Sequence, residues 1–510
     1  MVTLWYGHNV QLRRDRPDQL DPGPPASLLI RLDTSGRSGS KPLHEQIFDA
    51  VRSRILSGAL ARGVKLPSSR QLAADLGIAR STVLQAFDAL ADEGYIVMRA
   101  ASSTCVAPEL PDDLDIGTLG ETPRTTAPIR LSALARSVRA IPAGTPRLGD
   151  APRAFRPGSP ALDLFPTAVW ARISARHHAR VSTAMLDGGD PAGDPRLRQA
   201  IAAHASATRG VRCDPAQVFV TGGTQLAFDE ILRLVVDPGD AVWIENPCYL
   251  GARRAVLAVG GRLAPIPVDD DGLDVDAGIA RFPTARAVVL SPSHHYPLGV
   301  TLSLARRMAL LRWARRARAV VIEDDYDSEF RHRGRPLTAL QGLDDVGLTF
   351  YVGTFSKTMF PGLRIGFLIA PPAFVEVIAA SRSSPPAAAI DQATLATFIA
   401  DGHFARHVRR MRVAYRERSE VLLEALAAEC GGVLDPHPSA TGMQLWAEVR
   451  SYADRAVQDA AARHGVELAA LSEYFVGRPR RTGLVFGFGG VRPAAIRAGV
   501  KQLARAIETL

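Results

Sequence analysis

The second half of the chain carries six short apolar runs, rich in β-branched residues and bounded by Gly, Pro or Asp: Gln217 to Thr221, Ala241 to Glu245, Ala287 to Ser291, Val320 to Asp324, Phe350 to Gly353 and Ile365 to Ile369. Near-continuous runs of this length are what strands buried on both faces require, and segments of helical pattern such as Ser303 to Arg318 separate them. The pattern predicts an α/β fold with a mainly parallel sheet covered by helices on both faces. In such sheets ligands lie outside the carboxyl ends of the strands, so chemistry is expected where these runs stop.

Those ends hold a coherent set. The first run leads into Gly222, Gly223 and Thr224 and then an apolar helix, which aims free N–H groups and a helix dipole at one spot. Alone, such a glycine pair reads as an ordinary tight turn; it gains weight from its neighbours. The Val320 run ends in IEDDYDSEF, bringing Asp324 and Tyr326 to the same rim, while Asp325 and Asp327 read as caps or surface acids. The Phe350 run ends in GTFSKTMFPGLRIGF, with Lys357 just past the strand and Arg364 one loop later.

Lysine is scarce: among 61 Lys+Arg only Lys41, Lys65, Lys357 and Lys501 are lysines. Arginine, with a pKa above ~12, cannot serve as a neutral amine nucleophile, so a lysine at this rim asks for a chemical reason. A lysine amine forms a Schiff base with an aldehyde, and a carboxylate opposite a pyridine nitrogen keeps that nitrogen protonated. With a phosphate site beside them, this is the set that pyridoxal 5'-phosphate uses. On this reading Lys357 is the catalytic amine, Asp324 faces the ring nitrogen and Tyr326 bonds the ring hydroxyl. Gly223, Thr224, Thr354 and Arg364, with Gly222 beside them, hold the phosphate. Tyr249, in ENPCY after the Ala241 run, either lies against the ring or simply packs.

The amino-terminal part has a different texture. After an irregular extension over residues 1–40, Leu43, Ile47, Val51 and Ile55 recur every fourth residue and predict a helix over Pro42 to Ser57. In LPSSRQLAADLGIARSTVLQAFDALADEGYI, Ser68 and Gln71 form a capping box, Leu72 and Leu76 give an apolar face, and Gly77 allows a sharp exit. A second helix from about Arg80 to Glu93 would bury Val83, Leu84, Phe87 and Leu90. Two short helices joined by a glycine-containing turn make a helix-turn-helix, whose second helix presents its first residues to the major groove of double-stranded DNA. Here these are Arg80, Ser81 and Thr82, with Gln85 one turn later and Ser69 and Arg70 at the start of the preceding helix. A three-helix interaction module with a solvated polar face fits the periodicity as well. Charge does not decide, since Lys41 to Arg99 holds eight Lys/Arg against six Asp/Glu, a net of +2.

Residues 108–160 are dense in Pro, Gly, Ser, Thr and Arg and read as a semi-extended linker, within which Leu131 to Arg139 has the pattern of a short helix. The remainder, 161–510, forms the larger domain. The net charge of +9 permits an anionic partner without identifying one. Cys105, Cys213, Cys248 and Cys430 are too dispersed for a disulfide framework or a zinc site, so no metal is expected. No segment approaches the ~20 apolar residues of a membrane span, and no signal-peptide core opens the chain. A cytoplasmic location and no membrane partner are expected.

Two resemblances sharpen this reading. KPLHEQIFDAVRSRILSGAL followed by LPSSRQLAADLGIARSTVLQAFDALADEGYI closely resembles the GntR family of bacterial winged-helix repressors over the whole domain. DPAGDPRLRQAIAAH, VTGGTQLAFDEILRLVVDPGD, SPSHHYPLGVTLSLARR, IEDDYDSEF and GTFSKTMFPGLRIGF resemble the fold type I aminotransferases, in particular the MocR/GabR branch of the GntR family. That resemblance implies a winged helix-turn-helix joined to an aminotransferase-like domain, cofactor on the motif lysine, a head-to-tail homodimer, and regulation of metabolic genes through an operator.

Three departures stand out. The wing reads RAASSTCVAP, with Ala100, Ala101, Ser102 and Ser103 where relatives carry glycine. Gly188-Gly189-Asp190-Pro191 replaces a Y-G-D-P pattern, removing an aromatic expected to reach the partner subunit's phosphate. GLVFGFGG, Gly483 to Gly490, lacks the arginine that aminotransferases offer to a substrate carboxylate, and Arg481 is the nearest substitute. The last two weaken the expectation of efficient transamination more than that of cofactor binding. The expected function is a regulator whose larger domain senses pyridoxal phosphate or a small amine. The rivals are a working aminotransferase with an accessory domain, and a DNA-binding protein that has lost its cofactor.

Overall fold

The computed structural model describes residues 28, 30–33, 41–99, 103–110, 130–142, 154–331, 337–384 and 387–510. The chain divides between Ile129 and Arg130 into two compact units, each with its own core.

In the smaller unit, helices α1 (Leu43–Leu56), α2 (Ser69–Leu76) and α3 (Arg80–Asp92) precede a hairpin of β1 (Ile96–Arg99) and β2 (Ser103–Val106). Ile47, Val51 and Ile55 of α1 are buried as their spacing requires, and Leu43 at the helix start is only half-buried. Ser68 caps α2 by accepting from the Gln71 amide at 3.2 Å, and Gly77 ends it in the left-handed region at φ 66. The Gln71 side chain donates instead to Asp75, 2.8 Å away, so half of the expected capping box forms. Helix α3 buries Val83, Ala86, Phe87 and Leu90. Leu84, expected inside, is 37% exposed, because it lies about 100° around the helix from Val83 and Ala86 fills the inward position instead. Leu28 and Ile30, from the stretch read as an irregular extension, are buried in this core, and the Asp33 amide donates to Gln46 Oε1 at 2.8 Å. The antiparallel hairpin sets Arg99 opposite Ser103. The wing tip, including Ala100, Ala101 and Ser102, lies outside the described residues.

The larger unit contains an eight-stranded sheet in the order β3-β10-β9-β8-β7-β4-β5-β6. Its strands are β3 (Val218–Thr221), β4 (Ala241–Asn246), β5 (Arg262–Asp269), β6 (Gly272–Leu273), β7 (Ala287–Leu290), β8 (Val320–Asp325), β9 (Thr349–Thr354) and β10 (Gly366–Ile369). The pairs β5/β4, β4/β7, β7/β8 and β8/β9 are parallel; β10 runs antiparallel between β3 and β9, and β6 is a short antiparallel edge. The fold is therefore α/β with a mainly parallel sheet, and the Ile365 run is the reversed strand. Every residue of β3, β7, β8, β9 and β10 is buried, which is why these runs do not alternate.

A second sheet, unmarked in the sequence reading, follows the long helix His403–Cys430: β11 (Leu434–His437), β12 (Gln444–Val449), β13 (Ala469–Ala470) and β14 (Gly483–Gly487), all antiparallel in the order β11-β12-β14-β13. The short helix expected near Leu131 forms as α4 (Ala133–Arg139), capped by Ser132, and Ile141 just beyond it is 6% exposed. Phe155 is fully buried in the main core of the larger unit. Part of the stretch read as linker thus packs into this unit, because it carries isolated large apolar residues that no periodicity reveals.

Candidate functional site

Strands β3, β9 and β8 end at one rim of the sheet, and a cavity of about 300 Å³ opens there. Eight of the residues expected at the site line it: Gly223, Thr224, Tyr249, Asp324, Tyr326, Thr354, Lys357 and Arg364. Gly222 is buried beside it and does not line it. Pro157, Gly158, Gln225, Tyr296, Ser356, Pro361 and Gln444 complete the wall, and the sequence reading named none of them.

The helix Thr224–Val235 starts at the cavity with Gly223 as its N-cap, so backbone N–H groups without helical partners lie where an anion could use them. Arg364, held in the left-handed region at φ 51, adds a guanidinium to the same wall. The Thr354 hydroxyl accepts from the Ser356 amide at 3.1 Å, which folds the turn leading to Lys357.

The Lys357 amine donates to the Gly158 carbonyl at 2.8 Å. Burial lowers its affinity for a proton below that of an ordinary lysine, with Asp327 and Asp324 opposing the shift. Asp324 is 5% exposed, and burial, aided by the nearby Asp325 and Asp327, pushes its carboxyl up to about 8. Its Oδ1 atom is buried without a hydrogen-bond partner among the described residues. A lone carboxylate oxygen costs free energy unless something positive or hydrogen-donating meets it, and Asp324 lines the cavity that holds the amine.

Asp325 and Asp327, read as caps or surface acids, are both buried. Asp325 accepts from Arg209 Nε at 2.8 Å and from the Tyr351 hydroxyl at 2.6 Å. Burial raises its carboxyl, but Arg209 and the hydrogen bond from Tyr351 outweigh that and hold it low, as in a structural ion pair. Asp327 meets His294 Nδ1, 2.8 Å from Oδ1. Tyr326 has its hydroxyl 3.0 Å from the same nitrogen, and Gln444 Nε2 donates to it at 3.2 Å. Tyr249 is 39% exposed at the mouth, edge-on to Tyr296 with ring centroids 6.0 Å apart. The Tyr296 hydroxyl in turn meets that of Tyr474 at 2.8 Å.

In the smaller unit Arg70, Arg80, Ser81 and Gln85 are exposed, and Ser69 and Thr82 half-buried. Arg80 Nε donates to Ser69 Oγ at 3.3 Å, bringing the start of α3 to the start of α2. Ala79, the N-cap of α3, has no side-chain hydrogen bond to offer, so the Arg80 and Ser81 N–H groups lack a cap and suit a phosphate, while the Thr82 N–H donates to the Ala79 carbonyl at 3.1 Å.

Two sequence departures have structural counterparts. Gly188, at the position of the missing aromatic, has φ 99, a conformation L side chains avoid. Arg481 lies over the Trp446 ring, 5.9 Å from its centroid, and does not line the cavity. The opposed carboxylate, buried amine, anion cradle and unpartnered Asp324 oxygen fit pyridoxal phosphate. Among the described residues no group of His, Cys, Asp and Glu has the arrangement of a metal site, and no helix is long and apolar enough to cross a membrane.

A family described as "Aminotransferase class I and II" matches residues 161–484, and one described as "Bacterial regulatory proteins, gntR family" matches residues 43–106. The chain is 39% identical over 484 residues to a Rhizobium meliloti protein named probable rhizopine catabolism regulatory protein MocR, covering 93% of this chain and 95% of that one. It is 31% identical over 464 residues to the HTH-type pyridoxine biosynthesis transcriptional regulator PdxR of Corynebacterium glutamicum, covering 91% and 95%. Among solved structures it resembles LysN, the α-aminoadipate aminotransferase of Thermus thermophilus, complexed with N-(5'-phosphopyridoxyl)-L-leucine. That match has a TM-score of 0.63 and 28% identity, and covers 70% of this chain and 92% of that one. An aminotransferase fold of this class implies pyridoxal phosphate.

Proposed function

Because this chain belongs to the MocR/GabR type of GntR-family transcriptional regulators, we propose that its larger unit holds pyridoxal phosphate on Lys357 and controls operator binding by its smaller unit. The Oδ1 of Asp324, without a hydrogen-bond partner among the described residues, belongs to a residue that lines the cavity holding the Lys357 amine, and carries the cofactor half of this reading. When bound, pyridoxal phosphate supplies an aldehyde that captures primary amines and a ring that draws electrons from what it has captured.

The chain's own residues divide the remaining work. Burial of Lys357 keeps its amine closer to the neutral, nucleophilic form. Asp324 holds negative charge, or a proton, where a ring nitrogen would stand. Gly223, Thr224, Thr354 and Arg364 bind and orient a phosphate. Tyr326 positions a hydroxyl at the ring's edge, and Tyr249 covers its face. Arg80, Ser81, Thr82 and Gln85 read base edges, while Ser69, Arg70 and the start of α3 fix position on the phosphate backbone. The protein works as a head-to-tail homodimer, as the resemblance implies, and in the reducing cytoplasm, where its dispersed cysteines stay free.

Control requires that effector binding differ in free energy between two arrangements of the DNA-binding units. The effector is the cofactor itself or a small amine that reacts with it. Titration of operator DNA with the loaded protein, with and without candidate amines, tests this: a shift in affinity or DNA shape supports the sensor. Unchanged binding, together with steady transamination of an amino acid with a keto acid, would favour an enzyme with an accessory domain.

A further inference from the structure

Asp327 and His294 form a pair whose side chains are each 1% exposed, and no role assigned above uses it. His294 Nδ1 lies 2.8 Å from Asp327 Oδ1 and 3.0 Å from Oδ2, while its Nε2 faces Ser439 Oγ at 3.2 Å. The imidazole lies along the Tyr326 ring, with centroids 5.7 Å apart and planes 25° from parallel. A loop clamps the pair: a Cβ on Gly442 would fall 2.2 Å from His294 Cε1 and 2.6 Å from Asp327 Oδ2.

An ionised carboxylate can only accept, so its approach to Nδ1 with both oxygens places a hydrogen on that nitrogen. A protonated Nδ1 has no lone pair left to accept from the Tyr326 hydroxyl, 3.0 Å away. Gln444 also presents an N–H to the same hydroxyl oxygen. Neither protein neighbour of Tyr326 can therefore accept its hydrogen, which is left to point elsewhere, into the cavity that Tyr326 and Gln444 line. Burial raises the Tyr326 phenol well above its ordinary range, which keeps that hydrogen in place.

Resting on the cofactor reading above, we infer that His294, locked by Asp327, is a positioning residue that forces Tyr326 to donate its proton toward the cofactor's ring oxygen. Neither residue lines the cavity, so their hydrogen bonds reach it through Tyr326, while the Asp327 charge is also felt at Lys357 and Asp324 and stays in place in His294→Gln.

The test is the visible spectrum of the cofactor-loaded protein in the wild type, Tyr326→Phe, Asp327→Asn and His294→Gln, with cofactor content measured after denaturation. An asparagine at 327 can donate to Nδ1 and so select the other tautomer, whose bare Nδ1 draws the Tyr326 proton away from the cavity. Asp327→Asn is expected to shift the band in the direction of Tyr326→Phe, by at least half as much, at unchanged cofactor content. If Tyr326→Phe shifts the band but Asp327→Asn and His294→Gln match the wild type, the inference is overturned and the cofactor reading stands. A wild type with no band of lysine-bound cofactor would overturn both. Should Asp327→Asn fail to fold, 15N-histidine NMR of the loaded wild type, with His294 assigned from His294→Gln, still decides. A protonated Nδ1 is expected, and a bare one would overturn the inference.

Discussion

The Lys357 amine donates to the Gly158 carbonyl at 2.8 Å, and a methyl group on Gly158 would lie 2.6 Å from that same nitrogen. Gly158 also sits at φ 73, so both its backbone and its bare α-carbon are required for the amine to rest where it does.

Gly158→Ala should therefore displace the lysine without touching any other named group. The cost in stability is expected to be about 1 kcal/mol, and loading with pyridoxal phosphate should weaken several-fold. A cofactor titration followed by the visible band checks this. Unaltered loading would mean that the Gly158 contact does not hold the reactive amine.

A second prediction concerns pH. Burial pushes both Asp324 and Glu245 up to about 8. Each binds its proton more tightly folded than unfolded, so the stability these two groups contribute is full at low pH and is lost as pH rises toward 8, at up to about 1.4 kcal/mol per unit per group. His295, pushed down to about 3 by burial, works in the opposite sense below its ordinary value of 6.5, where protonation of the unfolded chain costs stability. The range from pH 6.5 to 8, where an unfolded imidazole loses the last half of its proton, is dominated by the carboxyls. Thermal melts of the cofactor-free larger unit's transition should fall across it, and Asp324→Asn should recover roughly 1.5 kcal/mol of the loss. A slope indifferent to the substitution would show that Asp324 is ionised before any cofactor binds.

Arg80, exposed at the start of α3 and tied to Ser69, is the side chain best placed to read a base or grip a phosphate. Arg80→Ala is expected to weaken operator binding about tenfold and to leave the cofactor band unchanged. Competition against scrambled DNA separates the two modes: loss of sequence preference marks base reading, whereas uniform weakening with a shallower salt slope marks a phosphate contact.

Arg481 is turned onto Trp446, whose ring in turn stacks on His437 with centroids 4.0 Å apart. Arg481→Ala should leave the spectral response to amines unaltered. A marked loss of response to amino acids alone would show that this arginine swings inward to take a carboxylate.

The cavity was legible wherever a chemistry-bearing residue directly follows an apolar run, as Gly223, Asp324, Tyr326, Thr354 and Lys357 do. Strand ends are fixed by the sheet, so their order in sequence becomes proximity in space. Gly158 was hidden because it comes from a Pro- and Gly-rich stretch whose deep anchor beside it, Phe155, has no periodic company. Gln444 and Tyr296 escaped for another reason. Gln444 opens a strand of the second sheet, and the QLWAEV and GLVFG runs that announce that sheet are separated by more than a helix. Asp327 was misread because acids are seldom buried without a partner. Its partner, His294, stands 33 residues earlier in SPSHHYPLG, where the paired histidines were the available signal.

The most direct measurement is operator affinity for the wild type and Lys357→Ala, each with and without saturating pyridoxal phosphate, in one buffer at one salt concentration. The account predicts that the cofactor changes affinity or DNA shape several-fold for the wild type and leaves Lys357→Ala at its cofactor-free value. The same affinity and shape in all four arms would contradict it.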